Sequence, residues 1–200
     1  MAASTSASKP GCNKGAAPAQ SQLNNVRTSS RTVPDQPFGL AYAKTGHIAF
    51  AALTSKLAVL STDGTQPRLL HTIPLPAASV GKEGALGVTL THDGRELLIA
   101  AGSGAIVVDA AKAAAGAPGA VLGTLTGTAG TSVIEVSISP DDRYAFVSQE
   151  YGNIQTGNRG DNEVFDLHKA LHSGFGPSAS IGSLPLGKAV VGTTVRQTAR

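Results

Sequence analysis

The sequence is poor in aromatic residues: its 200 residues include no tryptophan, three tyrosines and five phenylalanines. A hydrophobic core must therefore be built mainly from valine, isoleucine, leucine and alanine. Cys12 is the only cysteine, which excludes an internal disulfide bond and a zinc site made of several cysteines. No apolar run approaches the roughly 20 residues that a membrane-spanning helix needs, so the sequence predicts no membrane span.

The sequence also lacks an excess of charge of either sign, except in its N-terminal residues. Residues 1–36 carry four basic side chains against Asp35 alone, which accounts for the whole net charge of +3. The other residues carry 12 basic and 12 acidic side chains. A nucleic-acid binder normally presents a basic stripe on its folded surface. We therefore predict no nucleic-acid binding by the folded body, and from the tail only weak, salt-sensitive binding.

Residues 1–36 are rich in serine, alanine, proline, glycine and asparagine and contain few large apolar residues. Such a segment cannot bury enough surface to offset the entropy that it would lose on ordering, so it is predicted to be a disordered tail. It lacks the apolar region of a signal peptide. Its opening letters MAAS would suit the last part of one if translation started further upstream.

What the sequence does contain is a repeat. The segments LAYAKTGHIAFAAL from Leu40, VTLTHDGRELLIAAG from Val88 and VSISPDDRYAFVSQE from Val136 begin 48 residues apart. In each segment, alternating apolar residues precede a turn and a compact apolar run follows it. The turns fall at Thr45-Gly46, Asp93-Gly94 and Asp141-Asp142. This pattern predicts a strand, a tight turn and a second strand, that is, a β-hairpin.

Two further strands complete each unit. KLAVLST, AIVVDAA and EVFDLHK predict a third strand, in which Val59, Val108 and Phe165 hold corresponding places. LLHTIPLP, AVLGTLTG and ASIGSLPLG predict a fourth. Four short antiparallel strands in about 45–50 residues form one blade of a β-propeller. We therefore predict an all-β chain with blades at about 37–80, 84–128 and 132–187 and the start of a fourth at 188–200, which is an incomplete ring.

The hairpins resemble YVTN-type β-propeller repeats. The resemblance lies in strands such as Leu98-Ile99-Ala100-Ala101 and Phe146-Val147-Ser148-Gln149, and in the third strand around Val107-Val108-Asp109; it covers about residues 36–195. It implies a propeller of the WD40/YVTN repeat-like superfamily, in which lactonase-like enzymes, surface proteins and secreted proteins occur. A WD repeat in the strict sense is excluded, because the chain has no tryptophan.

The insertion EYGNIQTGNRGDNE at 150–163 lengthens the third blade and is the best candidate for a functional site. Carboxylate and amide oxygens are the ligands that Ca²⁺ and Mg²⁺ prefer. The candidate metal ligands are Glu150, Asn158, Asp161, Asn162 and Glu163. The alternative is a solvated loop whose asparagines and glycines supply turn conformations. Because the spacing matches no EF-hand loop, we expect no bound cofactor, with Ca²⁺ or Mg²⁺ as the exception to test.

The segment DLHKALHSG at 166–174 predicts a short helix that Asp166 caps and Gly174 closes. His168 and His172 would then share one helical face and could hold a zinc ion, although catalytic zinc usually needs a third protein ligand. The equivalent segment of the second blade, DAAKAAAGAPG, has the same cap and no histidine. The favoured interpretation is therefore a common structural element with a variable surface.

Asp93, Asp141 and Asp142 are interpreted as turn residues, because acidic residues recur at the same hairpin position. The sequence shows no Ser-His-Asp order, phosphate-binding loop or nucleophile elbow, so no catalytic residue is assigned. It favours a non-catalytic module that binds a protein or carbohydrate partner, in an extracellular or periplasmic location. The alternative is a fragment of a lactonase-like hydrolase, in which acidic and amide side chains near the propeller axis hold a metal that activates water.

Three blades leave an apolar face open at each end of the arc. Such faces pair, aggregate or accept a partner. We therefore expect the chain either to be a fragment of a longer protein or to self-associate through its open blade edges.

Overall fold

The computed structural model describes residues 35–127, 132–151, 160–187 and 192–194. The strands in this part of the chain are β1 (Pro37–Tyr42), β2 (Ile48–Leu53), β3 (Lys56–Ser61), β4 (Arg68–Pro74), β5 (Ala85–Leu90), β6 (Glu96–Ala101), β7 (Gly104–Asp109), β8 (Val121–Leu125), β9 (Ser132–Ile138), β10 (Tyr144–Tyr151), β11 (Gly160–Asp166) and β12 (Ser180–Gly187). The α-helices between them are α1 (Ala77–Val80), α2 (Ala110–Ala115) and α3 (Leu167–Ser173), and a 3-10 helix covers Pro177–Ala179. None of the helices in the described ranges reaches the length and apolarity that crossing a bilayer requires. Of the predicted tail, only residues 35 and 36 are described, so its disorder stays a prediction.

The strands form three antiparallel sheets of four, with the orders β1-β2-β3-β4, β5-β6-β7-β8 and β9-β10-β11-β12. We call them blade 1, blade 2 and blade 3. Each sheet is a meander in which sequential strands are neighbours, which is the topology of a propeller blade. The predicted fold class, an all-β incomplete β-propeller with three four-stranded blades, is confirmed.

The hairpin turns between the first two strands of each blade require a left-handed backbone residue. Gly46 and Gly94 supply it in blades 1 and 2, with φ of 73° and 81°. In blade 3 the same place holds Asp142, whose φ of 58° is the only positive value for a residue other than glycine in the described ranges. Aspartate tolerates this conformation better than most residues.

The pairing ladders correct one detail of the sequence alignment. Ala49, Leu97 and Ala145 lie 48 residues apart, and they pair with Leu60, Val108 and Phe165. The residue of blade 1 that corresponds to Val108 and Phe165 is therefore Leu60, not Val59. A shift of one residue moves a side chain to the other face of the sheet, so Val59 instead corresponds to Val107.

Each blade has a leading face, turned toward the next blade in the sequence, and a trailing face, turned toward the previous one. The leading face of blade 1 (Phe50, Ala52, Leu57 and Val59) packs on the trailing face of blade 2 (Leu97, Ile99, Ala101, Ile106 and Val108). The leading face of blade 2 (Leu98, Ala100, Ala105 and Val107) packs on the trailing face of blade 3 (Ala145, Val147 and Phe165). These two interfaces, which we call seam 1–2 and seam 2–3, hold most of the described core. A smaller cluster of Ala49, Ala51, Leu53, Ala58 and Leu60 belongs to the trailing side of blade 1.

The inner strands of neighbouring blades approach too closely for a side chain between them. A Cβ on Gly39 would lie 2.5 Å from the carbonyl oxygen of Leu86, and a Cβ on Gly87 would lie 2.7 Å from that of Ile134. Both residues hold the same repeat position, so glycine there sets the spacing of the inner strands.

Candidate functional site

A cleft of about 510 Å³ opens between the hairpin turns of blades 2 and 3 and helix α3. Its lining is mainly charged or polar and consists of Asp93, Arg95, Glu96, Asp141, Asp142, Arg143, His168, Leu171 and His172. Four carboxylates and two guanidinium groups therefore meet around one opening. Concave sites with convergent polar groups are the usual place for ligand binding.

The first aspartate of each turn is engaged by its own hairpin. Oδ1 of Asp93 accepts hydrogen bonds from the Thr91 hydroxyl at 2.7 Å and the Arg95 amide at 3.0 Å. Burial raises the pKa of Asp93, but these two hydrogen bonds together with the charges of Arg95 and Lys44 outweigh it, and the pKa is lowered. Asp141 repeats the arrangement in blade 3: bonds from the Ser139 hydroxyl and the Arg143 amide lower its pKa. Both side chains are thus held ionised as structural acceptors.

Asp142 joins the two turns across seam 2–3. Its Oδ1 accepts from the backbone amide of His92 at 2.6 Å, and its Oδ2 accepts from that of Asp93 at 2.8 Å. The His92 ring nitrogen Nδ1 also lies 2.7 Å from Oδ1. This set of contacts, which we call the Asp142 clamp, satisfies two turn amides of one blade with a side chain of the next. Glycine at the equivalent position of blade 2 provides no such clamp to blade 1.

The pKa of Glu96, a further carboxyl of the cleft, is raised, in contrast to those of Asp93 and Asp141. Burial, followed by the negative charge of Asp93, raises the pKa of Glu96, while a hydrogen bond with Thr91 partly opposes the shift. A raised pKa makes a carboxyl a better proton donor near neutral pH. Glu96 was not singled out from the sequence, because it occupies an ordinary strand position.

The rim of the cleft carries the donors. The Arg95 side chain is 80% exposed and lies 3.6 Å from the Asp93 carboxylate, and Arg143 is 56% exposed, 3.6 Å from Asp166. The Arg143 guanidinium also lies 5.0 Å from the centre of the Tyr144 ring. Such loose, exposed ion pairs contribute little to stability, so both arginines are able to turn toward a ligand.

The predicted helix at 166–174 is present as α3, with Asp166 accepting from the Lys169 amide at 2.8 Å and Gly174 following the last turn. His168 and His172 share one face of it, and their rings stack with centroids 4.1 Å apart. Nδ1 of His172 donates to the carbonyl oxygen of His168. In the described ranges no three histidine, cysteine, aspartate or glutamate side chains gather closely enough to hold a metal. A zinc ion on this pair stays a prediction.

The residues of the predicted oxygen-ligand site lie at the other end of blade 3. Tyr144 pairs with Asp166 beside the cleft, whereas Gln149 pairs with Asp161, about 17 Å further along the strands. Glu150 is the last residue but one of β10, Asp161, Asn162 and Glu163 lie on β11, and Asn158 lies outside the described residues. Asn162 and Glu163 are adjacent in a strand and point to opposite faces. Whether the loop completes a metal site stays a prediction.

At this end of β10 and β11 the structure places four buried polar residues, Ser148, Gln149, Asn162 and Glu163, which we call the polar layer. On the trailing face, the Gln149 amide donates to Oε2 of Glu163 at 2.9 Å, and the Ser180 hydroxyl donates to its Oε1 at 3.3 Å. On the leading face, Asn162 donates to the Thr193 hydroxyl, which also lies 3.2 Å from Ser148 Oγ. Buried polar side chains of this kind need such partners.

Aligning the repeats shows where the polar layer lies, but the sequence analysis identified only two of its four residues. Blade 2 has Ala100, Ala101, Ala105 and Ile106 where blade 3 has Ser148, Gln149, Asn162 and Glu163. Asn162 and Glu163 were proposed as metal ligands, whereas Ser148 and Gln149 were missed. A polar residue that replaces an apolar one at a buried repeat position marks a special environment.

Comparison with solved structures supports the fold. A 6-phosphogluconolactonase-like protein from Bacteroides uniformis superposes with a TM-score of 0.60 at 16% identity, covering 84% of this chain and 48% of that one. The periplasmic gluconolactonase PpgL of Pseudomonas aeruginosa gives a TM-score of 0.58 at 23% identity, covering 80% and 43%. The WD40 repeats of RRP9 give 0.57 at 16%, covering 80% and 42%. The chain has a β-propeller fold.

These likenesses extend to a little under half the length of each compared structure. No protein-family model matches the sequence, and the comparison with curated proteins gave no match. At these identities the structures show the architecture and leave the activity to be argued from the residues themselves.

Proposed function

We propose that this chain is a non-catalytic β-propeller module, of the YVTN type and extracytoplasmic, that binds a protein partner through the cleft between blades 2 and 3. One observation carries the proposal: all three turn aspartates are occupied as acceptors for turn amides and hydroxyls. They shape the cleft, and the lowered pKa of Asp93 and Asp141 suits these two carboxyls to neither a general acid nor a general base. Among the other side chains of the lining, the exposed Arg95 and Arg143 are hydrogen-bond donors suited to carboxylates or carbonyls of a partner.

Two likenesses support parts of the proposal. RRP9, whose WD40 repeats superpose on this chain, belongs to a class of propellers that are commonly interaction modules. PpgL is described as periplasmic, which supports an extracytoplasmic placement.

The test is site-specific photo-crosslinking in the source cell, with the crosslinker at position 172 in the cleft and, as a control, at position 68 on the outer strand of blade 1. A partner recovered only from position 172 is then purified and titrated by calorimetry. We expect Arg95→Glu and Arg143→Glu each to weaken binding about tenfold or more, which is roughly 1.4 kcal/mol. Arg68→Glu, an exposed arginine away from the cleft, should bind like the unchanged chain. Equal affinities for all three variants would show that the cleft is not the site.

A second candidate function, a lactonase-like metal-dependent hydrolase, is favoured by the buried Glu163 carboxylate on β11. A carboxylate and amide oxygens at a loop-bearing end of a blade are suitable ligands for Ca²⁺ or Mg²⁺, and two of the compared structures are described as lactonases. Glucono-δ-lactone hydrolysis by the purified chain, with and without millimolar Ca²⁺ or Mg²⁺, separates the two functions. We expect no turnover above buffer and no metal-induced rise in melting temperature. Turnover that disappears in Glu163→Gln would replace the binding proposal with the enzymatic one.

A further inference from the structure

Glu96 occupies a position that is apolar in the preceding blade. Ile48 holds the same place in blade 1, directly before the equivalent residues Ala49 and Leu97, and it packs against the apolar cluster of seam 1–2. Glu96 is partly buried at the edge of seam 2–3 and lines the cleft. A carboxyl in a place that the fold otherwise fills with an apolar side chain marks a special environment.

The contacts of Glu96 differ from those of the turn aspartates. The Thr91 hydroxyl has one hydrogen to donate, and it lies 2.7 Å from Oδ1 of Asp93 but 3.4 Å from Oε2 of Glu96. The hydrogen is therefore held mainly by Asp93, which leaves Glu96 the weaker contact. Asp142, in contrast, accepts from two backbone amides. The negative charge of Glu96 is thus less well stabilised than those of the aspartates.

Charged and titratable groups face Glu96 from every element around it. They are Asp93, Arg95 and Asp109 of blade 2, Asp141, Asp142 and Arg143 of blade 3, His168 and His172 of α3, and Lys44 of blade 1 beyond Asp93. When the imidazoles are neutral and the carboxyls ionised, the lining carries four negative and two positive charges. A carboxylate that is attracted by Arg95 and Arg143 therefore also meets an excess of negative charge.

One proton on Glu96 changes this balance. Burial and the charge of Asp93 already raise the pKa of Glu96, and the negative charge of an entering carboxylate would raise it further. A protonated carboxyl has an O–H group that donates, and its hydrogen bond to a carboxylate is short and strong. The same side chain thus repels a carboxylate when it is ionised and binds it when it is protonated.

We propose that the cleft binds a side-chain carboxylate from an acidic segment of its partner, and that Glu96 takes up one proton from solvent when this group binds. The inference rests on the proposed function, because Arg95 and Arg143 have to bind the same carboxylate. No covalent bond to carbon changes: the proton moves from solvent to Glu96 and then lies between the two carboxyl groups. Glu96 is therefore a specificity-determining residue of the cleft.

The proposal fixes the direction of the pH dependence. Binding that takes up one proton becomes tighter as the pH falls, by up to about tenfold for each pH unit between the pKa of Glu96 in the free chain and its higher pKa in the complex. Above both values the ionised Glu96 opposes binding. Below both values Glu96 is protonated before the partner arrives, and the pH dependence ends.

Calorimetry with a hexa-aspartate peptide, blocked at both ends, tests the proposal on the 200-residue chain. Titrations at pH 5.5 in two buffers with different heats of ionisation measure the number of protons taken up. This pH lies between the ordinary pKa of aspartate, about 3.9, and that of histidine, about 6.5, so neither residue type contributes strongly. We expect an uptake of about half to one proton and an affinity at least about tenfold higher than at pH 7.5.

Matched variants assign the proton to one side chain. Glu96→Gln removes the charge and keeps a donor, so it should take up almost no proton and bind the peptide at pH 7.5 about tenfold more tightly than the unchanged chain. Glu83→Gln, at an exposed glutamate before β5 and at the other end of blade 2, should behave like the unchanged chain. The double variant His168→Gln with His172→Gln should still take up the proton at pH 5.5, whatever its affinity. Circular dichroism at both pH values confirms that each variant is folded.

The outcomes separate this proposal from the proposed function. Proton uptake that persists in Glu96→Gln or disappears in the histidine double variant would overturn the proposal. Equal affinities at pH 5.5 and pH 7.5, or no binding of the peptide at pH 5.5, would also overturn it. If Arg95→Glu and Arg143→Glu leave the affinity for the peptide unchanged, the proposed function itself is wrong. If both arginine variants bind more weakly but the unchanged chain takes up no proton, the cleft remains the binding site and only the role of Glu96 is wrong.

Discussion

Seams 1–2 and 2–3 join blades of the same design, yet they are held together differently. Seam 1–2 has an apolar centre, with Phe50 and Val59 against Leu97 and Ile106, and one side-chain hydrogen bond described across it, from His71 Nε2 to the Ala113 carbonyl at 2.8 Å. Seam 2–3 has an apolar centre of similar kind, but the Asp142 clamp crosses it at one end, and at the other end the Gln149–Glu163 hydrogen bond lies within blade 3. Apolar contacts leave some freedom in the relative position of two packed blades, whereas directional hydrogen bonds fix that position. The difference indicates that a repeat fold can keep one architecture and assign the precise placement of blades to a few polar contacts.

We expect the largest loss of stability when a large side chain at the apolar centre of either seam is truncated. Phe50 and Phe165 are fully buried, one in each of the two clusters. Phe50→Ala and Phe165→Ala should each lower the free energy of unfolding by about 3–5 kcal/mol, because each leaves a cavity. Urea unfolding measures both. A cost under about 1 kcal/mol at either site would mean that its seam contributes little to the fold.

We expect the next largest loss of stability from variants of the polar layer at one end of seam 2–3. Gln149→Ala removes a donor from the buried Glu163 carboxylate and should cost about 1–3 kcal/mol. The double variant Gln149→Ala with Glu163→Ile installs the residues of blade 2 and should recover part of that loss, because it removes the buried charge, although the Ser180 hydroxyl then loses its acceptor. The same urea experiment compares them. If the double variant is less stable than the single one, the polar layer stabilises the seam more than apolar packing could.

The Asp142 clamp gives a smaller change. Asp142→Gly gives blade 3 the turn residue of blade 2. The variant loses the hydrogen bonds to the His92 and Asp93 amides, but it also removes the backbone strain of an aspartate with a left-handed conformation. The two contributions oppose each other, so we expect a net loss of about 1 kcal/mol. Faster hydrogen exchange of the His92 and Asp93 amides should accompany it. Protection that is unchanged at both amides would show that the clamp does not form in solution.

The smallest effect is on acid stability. The pKa of both Asp93 and Asp141 is lower in the folded chain than the ordinary 3.8. Their contribution is therefore present above pH 3.8 and is lost as the pH falls through the lower folded pKa. Asp141→Asn should make the melting temperature fall less steeply between pH 5 and pH 2.5, while lowering it slightly at pH 7. A slope identical to that of the unchanged chain would contradict the assignment.

The fold could be predicted because the same strand and turn pattern occurs three times in the sequence. Alternation, turn residues and spacing agreed among Leu40, Val88 and Val136, and local patterns that recur need no knowledge of distant contacts. The register of β3 could not be fixed in this way, since KLAVLST is apolar at successive positions and fits two pairings that differ by one residue. Only its ladder with β2 distinguishes Val59 from Leu60.

The candidate site was less predictable, because its parts come from different blades. Reading Asp93 and Asp141 as turn residues agrees with their hydrogen bonds, but nothing local to Asp142 indicates that its carboxylate reaches the neighbouring turn. The cleft itself depends on α3 lying beside two hairpins. The sequence placed His168 and His172 on one face of that helix and had no means of placing Glu96 and Arg95 opposite them.

The unequal connections between second and third strands have a consequence for how this protein can be altered. Two residues join β6 to β7, and eight join β10 to β11, yet Gln149 and Asp161 face each other in the β10–β11 ladder close to both ends of the longer connection. Lengthening an anchored loop is inexpensive, about 0.6 kcal/mol for each doubling of its length. An epitope, a reporter domain or a foreign recognition loop inserted between Tyr151 and Gly160 is therefore expected to leave the spacing of the blades untouched, because the Gln149–Asp161 pair that precedes it lies about 17 Å from the cleft along the strands.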